Sequence, residues 1–259
     1  MKNKKLVTIL KAICSFILVL AVCTSASLFF HSYYYDSVYI SGNSMSPTLV
    51  GADDADLAEA TDKGSNAIVD FGIVDHHTSA KKHIKRFDII STYYPTSSDY
   101  NLETMTLRKN ATKKIKRVIG LPNETIRIEK GSLYVLKGNK YELVPYTFET
   151  NPSVTTGYAG KDVDKVELKD NEYWVLGDNR QASNDSGFIG KPINYDNIYG
   201  VLVAIEGQGE IYVKKLVCQN CGSTYKYMKN YGGLCEKCYG PLAREYDIKN
   251  KHYRWPTFY

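Results

Sequence analysis

Two sets of side chains in this chain have the types and spacing for chemistry. The first is a serine among turn-forming residues, Ser41-Gly42-Asn43-Ser44-Met45-Ser46-Pro47-Thr48-Leu49. Gly42 permits a tight backbone and Pro47 sets the turn after it, so Ser44 can expose its hydroxyl while its own N–H faces a developing oxyanion. Such turns are also ordinary loop chemistry, and a serine hydroxyl needs a base. No histidine has a suitable setting: His31 abuts an apolar stretch, His252 lies in the tail, and His76, His77 and His83 fall in a polar region. A lysine can serve if desolvation lowers its pKa by about three units from ~10.4, roughly 4 kcal/mol. Lys116 alternates with Ile115 and Val118 in a run of strand character, which offers that setting. A solvated charge run is the competing reading of residues 113–117.

The second set is Cys218-Gln219-Asn220-Cys221-Gly222 and Cys235-Glu236-Lys237-Cys238-Tyr239-Gly240, two C-x2-C pairs with thirteen residues between them. Paired knuckles of this kind close on one tetrahedral Zn²⁺. Thiolates suit the metal, and the glycines after each pair let backbone N–H groups turn toward sulfur. Structural zinc is therefore the expected cofactor. Two disulfides are the alternative, and an extracytoplasmic location favours them. His76-His77 is not read as a metal site, because adjacent residues point apart in a regular element.

These residues need elements to position them. The chain has 259 residues, 43% of them hydrophobic, enough for a real core. The net charge of +5 comes from local lysine and arginine runs, which fit an anionic membrane surface and give no ground for a nucleic-acid partner. Lys2, Lys4, Lys5 and Lys11 precede residues 12–30, nineteen residues without a charge. As a helix this stretch spans ~28 Å, close to a hydrocarbon core of ~30 Å. Phe29, Phe30, Tyr33, Tyr34 and Tyr35 form an aromatic belt at its exit. The positive-inside rule puts residues 1–11 in the cytoplasm and the rest of the chain outside. Two other readings are a removable signal peptide ending at Ser25-Ala26-Ser27, and a lipoprotein processing box at Leu20-Ala21-Val22-Cys23 spoiled by the bulk of Val22.

Residues 51–85 are polar and read as an insertion or long loop, with weak helical content at 53–60. From residue 86 the pattern has period two. Strands are expected at 87–94, 113–120, 172–176, 198–205 and 210–217, with a hairpin of 125–129 and 132–136 around Lys130-Gly131. The expected fold is mostly β: an antiparallel sheet or barrel with an N-terminal transmembrane helix and a small C-terminal zinc-ribbon-like module.

Four blocks in order resemble the bacterial type I signal peptidases of the S26 kind. The first is the serine stretch 41–49. Then follow Arg86-Phe87-Asp88-Ile89-Ile90, Lys116-Arg117-Val118-Ile119-Gly120-Leu121-Pro122, and Gly177-Asp178-Asn179-Arg180-Gln181-Ala182-Ser183-Asn184-Asp185-Ser186. The resemblance covers about residues 5–206 and implies a peptidase domain at 36–206, followed by an extension at 210–259 that typical members lack. It implies a serine endopeptidase with Ser44 as nucleophile and Lys116 as general base, needing no catalytic cofactor. Ser183 would orient the lysine and Met45 would line the substrate site. The implied substrates are exported preproteins cut after small residues at −1 and −3. The bilayer is a further expected partner, and the extension, which the resemblance does not cover, would stabilise the end of the peptidase domain or contact the translocon or a cell-wall polymer.

Four departures stand out. Gly42 replaces a serine that some members use toward the oxyanion, Phe87 replaces a glycine, and Asn123-Glu124 replaces Gly-Asp. Gly187 stands where an arginine normally pairs with the aspartate matched by Asp185. They support an alternative, a catalytically lapsed relative that binds through its cysteine module. Another is a Ser-Lys peptidase dedicated to a few surface proteins.

Overall fold

The computed structural model describes residues 2–52, 66–96, 100–101, 103–104, 106–108, 111–145, 161–226 and 233–258. The weak helix expected at 53–60 lies outside them. Helix α1 (Lys2–Tyr34) contains an apolar span, Ile9–Tyr34, of mean hydropathy 2.4 with none of it buried. Its length and composition suit a membrane crossing, and it continues through the aromatic belt beyond the expected end at residue 30. Thr24 and Ser25 turn their hydroxyls back onto the carbonyls of Leu20 and Ala21, so neither needs water.

The chain then enters a nine-stranded antiparallel sheet. Its described strands are β1 (Tyr35–Tyr39), β2 (Ala67–Asp75), β3 (Ile89–Thr92), β6 (Lys114–Gly120), β11 (Glu172–Leu176), β12 (Ile193–Asn194), β13 (Ile198–Cys218), β14 (Thr224–Tyr225) and β15 (Leu242–Phe258). The order is β1-β2-β13-β3-β6-β11-β12, with β14 and β15 added to β13. The short pair β4 (Tyr100–Asn101) and β5 (Thr106–Leu107) stands apart. A second sheet, β10-β7-β8-β9, uses Val163–Glu167, Thr125–Glu129, Ser132–Lys137 and Lys140–Leu143. The hairpin expected between β7 and β8 is present. Lys130 and Gly131 both have positive φ, as a two-residue turn between twisted strands requires. Short helices α2 (Thr78–Lys82) and α3 (Ser186–Ile189) complete the described elements used below.

Two expectations are corrected. Residues 51–85 are not simply a loop, because Ala67–Asp75 forms β2 between β1 and β13. Val69, Phe71 and Val74 are buried, and so is Asp70, so the strand lacks the polar alternation that would mark it. The strands expected at 198–205 and 210–217 are one 21-residue strand, β13. Its pairing with β2 and β15 shifts around Gly207 and Gly209, where a side chain would strike the facing strand. The C-terminal extension is therefore continuous with the main sheet. β15 pairs with β13 from Ala204 to Cys218 and runs back along it.

Asp70 also closes the serine loop. Ile40 N–H donates to the Asp70 carbonyl at 2.9 Å, Val50 N–H donates to its carboxylate at 2.7 Å, and Asp70 N–H donates to the Val50 carbonyl at 2.8 Å. Gln208 Nε2 adds a fourth bond at 3.0 Å from β13. Both ends of the loop are thereby tied to one residue of β2. Asp70→Ala keeps the main-chain bonds but leaves Val50 N–H and Gln208 Nε2 without the carboxylate, and is expected to cost about 2–3 kcal/mol, read from denaturant unfolding in detergent.

Candidate active site

Ser44 and Lys116, 72 positions apart, meet across the sheet with Lys116 Nζ 2.7 Å from Ser44 Oγ. Register explains the meeting. Lys116 lies opposite Ile90 on β3, while the serine loop packs Met45 and Leu49 against Ile40, Val74, Ile89, Leu202 and Ile205. Nζ also donates to the Ile115 carbonyl at 2.8 Å, which fixes the amine's direction. Lys116 is only 4% exposed, and burial pushes its ammonium from 10.5 down to about 8. Asp185 and Asp178 oppose that shift, and Lys114 adds to it.

Beside the pair lies a cleft of about 220 Å³ with an apolar floor of Val38, Ile40, Met45 and Ile115. Met45 is among the residues lining it and is 1% exposed. Gly42 sits at φ +83, a conformation that side chains resist, and contributes its N–H to the Ala52 carbonyl at 2.6 Å. Ser183 differs from expectation. Its hydroxyl is buried over Gly177 and has no hydrogen-bond partner among the described residues, so its bond to Lys116 is not formed. Gly177 has no room for a side chain because the Ser183 hydroxyl and the Ser44 carbonyl occupy that space.

Asp178 holds the site's frame together. Arg117 donates through Nε at 2.8 Å and Nη2 at 2.6 Å to its two carboxylate oxygens, and Thr48 of the serine loop donates at 2.6 Å. Burial alone would raise the Asp178 carboxyl; Arg117 first, then Thr48 and Arg180, outweigh it and keep the group ionised. Asn179 N–H donates to the Ser44 carbonyl at 3.0 Å. Arg117, Asp178 and Thr48 were visible in the sequence only as parts of motifs. The long chain separation of this ion pair hides it from any local pattern.

The departures have local solutions. Asp185, without an arginine at 187, caps α3 and accepts from Gly177 N–H at 2.9 Å and Gly187 N–H at 3.0 Å. Phe87 adopts φ +75, the conformation for which glycine is usual, while its ring fills a core cluster beside Ile119 and Leu176. Asn123, at φ +63, is the side chain best suited after glycine to that backbone. Glu124 accepts from Leu121 N–H at 2.8 Å and pairs with Arg86.

The four C-terminal cysteines converge as expected, with all four Sγ atoms within 4.8 Å of one another. Cys218 and Cys238 are separated by 3.4 Å, and Cys221 and Cys235 by 3.6 Å. Both are far beyond the ~2.05 Å of a disulfide and near the sulfur spacing of about 3.8 Å in a tetrahedral Zn–S₄ site. The N–H groups of Cys221 and Lys237 point at Cys218 and Cys235 sulfur. Gly222 takes positive φ after the first pair as expected. After the second pair it is Tyr239 that does so, while Gly240 lies under Asn220. The histidines serve structure: His77 caps α2, and His76 stacks on Tyr199.

Comparison with known proteins identifies the family. The family described as signal peptidase, peptidase S26, matches residues 9–205. Signal peptidase I V of Bacillus subtilis is 39% identical over 94 residues, which are 34% of this chain and 54% of that protein. The chain thus spans about half the length of that relative. Signal peptidase I U of the same organism is 29% identical over 188 residues, covering 71% of this chain and 83% of the relative. A crystal structure of a signal peptidase I from Enterococcus faecalis is 27% identical and covers 46% of this chain and 96% of that one, with a TM-score of 0.33.

The buried amine has a consequence for stability. The unfolded chain holds this proton up to 10.5 and the folded chain only to about 8, so charging Lys116 opposes folding below about 8. Stability from this group rises with pH between those two values. Lys116→Met is expected to raise stability by about 2–3 kcal/mol at pH 7, a gain that shrinks above pH 8 and vanishes past the upper value. Denaturant unfolding at pH 7 and pH 10 measures it, and an equal gain at both would contradict the desolvation account.

Proposed function

The chain belongs to the signal peptidase, peptidase S26, family, and on that premise we propose that it is a membrane-anchored Ser-Lys endopeptidase releasing exported preproteins from their signal peptides. The observation that carries this reading is the 2.7 Å approach of a dry lysine amine to the Ser44 hydroxyl. Neutral Lys116 takes the Ser44 proton as Oγ attacks the scissile carbonyl carbon. The oxyanion that forms is met by the Ser44 N–H. Collapse breaks the C–N bond, the Lys116 ammonium returns the proton to the leaving amine, and an ester remains on Ser44. Lys116 then deprotonates a water that attacks the ester, and the Ser44 hydroxyl is restored.

The apolar floor of the cleft, small in volume, supports a preference for small residues at −1 and −3. In an extended peptide these two side chains point the same way. An anchor that leaves the bilayer directly into β1 keeps the site near the membrane, where a substrate signal helix is also held. In the proposed orientation the N-terminus is cytoplasmic and the catalytic sheet lies on the outer side. A lapsed relative is less well supported, because Asp185 finds backbone partners without the arginine. The cysteine cluster, by its donor set and spacing, would hold one structural Zn²⁺.

Two outcomes are expected. Ser44→Ala and Lys116→Ala each abolish cleavage of a preprotein in detergent, and wild-type kcat/KM rises with pH to a plateau above about 8 as Lys116 loses its proton. Retained turnover in either variant, or a flat profile through that pH, removes the dyad assignment. For the cluster, metal analysis is expected to find one zinc per chain, with chelation lowering the melting temperature in step with its release. A native mass lighter by two disulfides, with no metal, contradicts zinc.

A further inference from the structure

A second cavity of about 700 Å³ opens beside the catalytic cleft. The two share Tyr39, Ser41 and Thr112 as lining residues, so they are neighbours across those side chains. Its far wall comes from the C-terminal extension: Gln219 and Asn220 of the first cysteine knuckle, and Arg244 of β15. That wall is polar, unlike the floor of the cleft. Both signs of charge are present: Arg244 and Glu245 line the cavity, with Glu245 engaged by Lys215 at 3.2 Å and the nearby Asp247 by Lys214 at 2.9 Å. Arg244 is exposed and has no carboxylate partner among the described residues.

The cleft's two sides dictate how a peptide would meet this wall. β1 is an edge strand, and β11 pairs with β6 only from Arg117 onward, so an extended chain can lie between the approach 38–41 and the segment 112–116. Along residues 38–40, Val38 and Ile40 pack with Met45 beneath the cleft, whereas Tyr39 packs against the Ala52, Val69 and Ile211 cluster that Tyr246 and Ile248 of β15 also join. Side chains of a bound strand alternate in the same way. With −1 and −3 on the apolar floor, the −2 side chain is directed toward Tyr39, Ser41 and the second cavity.

We propose that the cysteine-bearing extension forms a substrate subsite that reads the −2 residue and selects a carboxylate or amide there, through Arg244 and Asn220. The proposal rests on the peptidase reading of Ser44 and Lys116.

The test uses the full chain in detergent and peptides with alanine at −1 and −3 and Asp, Asn, Ala or Lys at −2. Wild type is expected to cleave the Asp peptide about fivefold better than the Lys peptide in kcat/KM, less so at high salt. Arg244→Glu is expected to reverse that order. Equal cleavage of all four peptides, or an order unchanged in Arg244→Glu, overturns the subsite and leaves the peptidase intact. The same peptides, labelled and titrated into Ser44→Ala and Ser44→Ala/Arg244→Glu, report binding by fluorescence anisotropy without turnover. Binding that follows the −2 charge and reverses with Arg244→Glu supports the subsite even where no peptide is cut. Binding indifferent to that charge overturns it.

Discussion

A lysine amine gives up its proton near neutral pH only where water is kept from it, and the surroundings of Lys116 are arranged around that constraint. Two carboxylates, Asp185 and Asp178, lie close enough to Lys116 to favour its charged form. Neither is left as a bare charge. Arg117 and Thr48 occupy Asp178, and backbone N–H groups of Gly177 and α3 occupy Asp185. Their pull on the lysine is thereby weakened, and desolvation prevails.

The same contacts that satisfy these carboxylates also fix the serine. Asp178 joins the lysine strand, through Arg117, to the serine loop, through Thr48. Asn179 holds the Ser44 carbonyl from the same turn, and Asp70 holds both ends of the loop from β2. Electrostatics and positioning are thus served by one network, in which each buried charge meets a donor on a different element. β13 then links this network to the cysteine cluster, since one strand pairs with β2, β3 and β15 in turn along its length.

Departures from the family pattern show how substitutions can be absorbed when the demand is local. At 87 and 123 the demand is a left-handed backbone, and Phe87 and Asn123 accept it, one with a buried ring and the other with a short polar side chain. At 187 the demand is a partner for Asp185, which main-chain N–H groups supply. Ser183 is the exception, a buried hydroxyl without a partner among the described residues where an orienting bond to the lysine was expected.

The sequence by itself determined the anchor, the β class, the hairpin at Lys130-Gly131, the serine and lysine candidates and the clustering of four cysteines. Each is a local signal, written in periodicity, turn residues or short spacing. Only the tertiary structure decided that residues 67–75 are a buried strand, because a strand covered on both faces loses its alternation. It also decided which carboxylate meets Arg117, that Asp185 finds main-chain partners without an arginine, and that the cysteine extension lines a cavity sharing Tyr39, Ser41 and Thr112 with the cleft beside Lys116. Those facts depend on contacts between residues tens to more than a hundred positions apart, which a curled sheet brings together and no local pattern records.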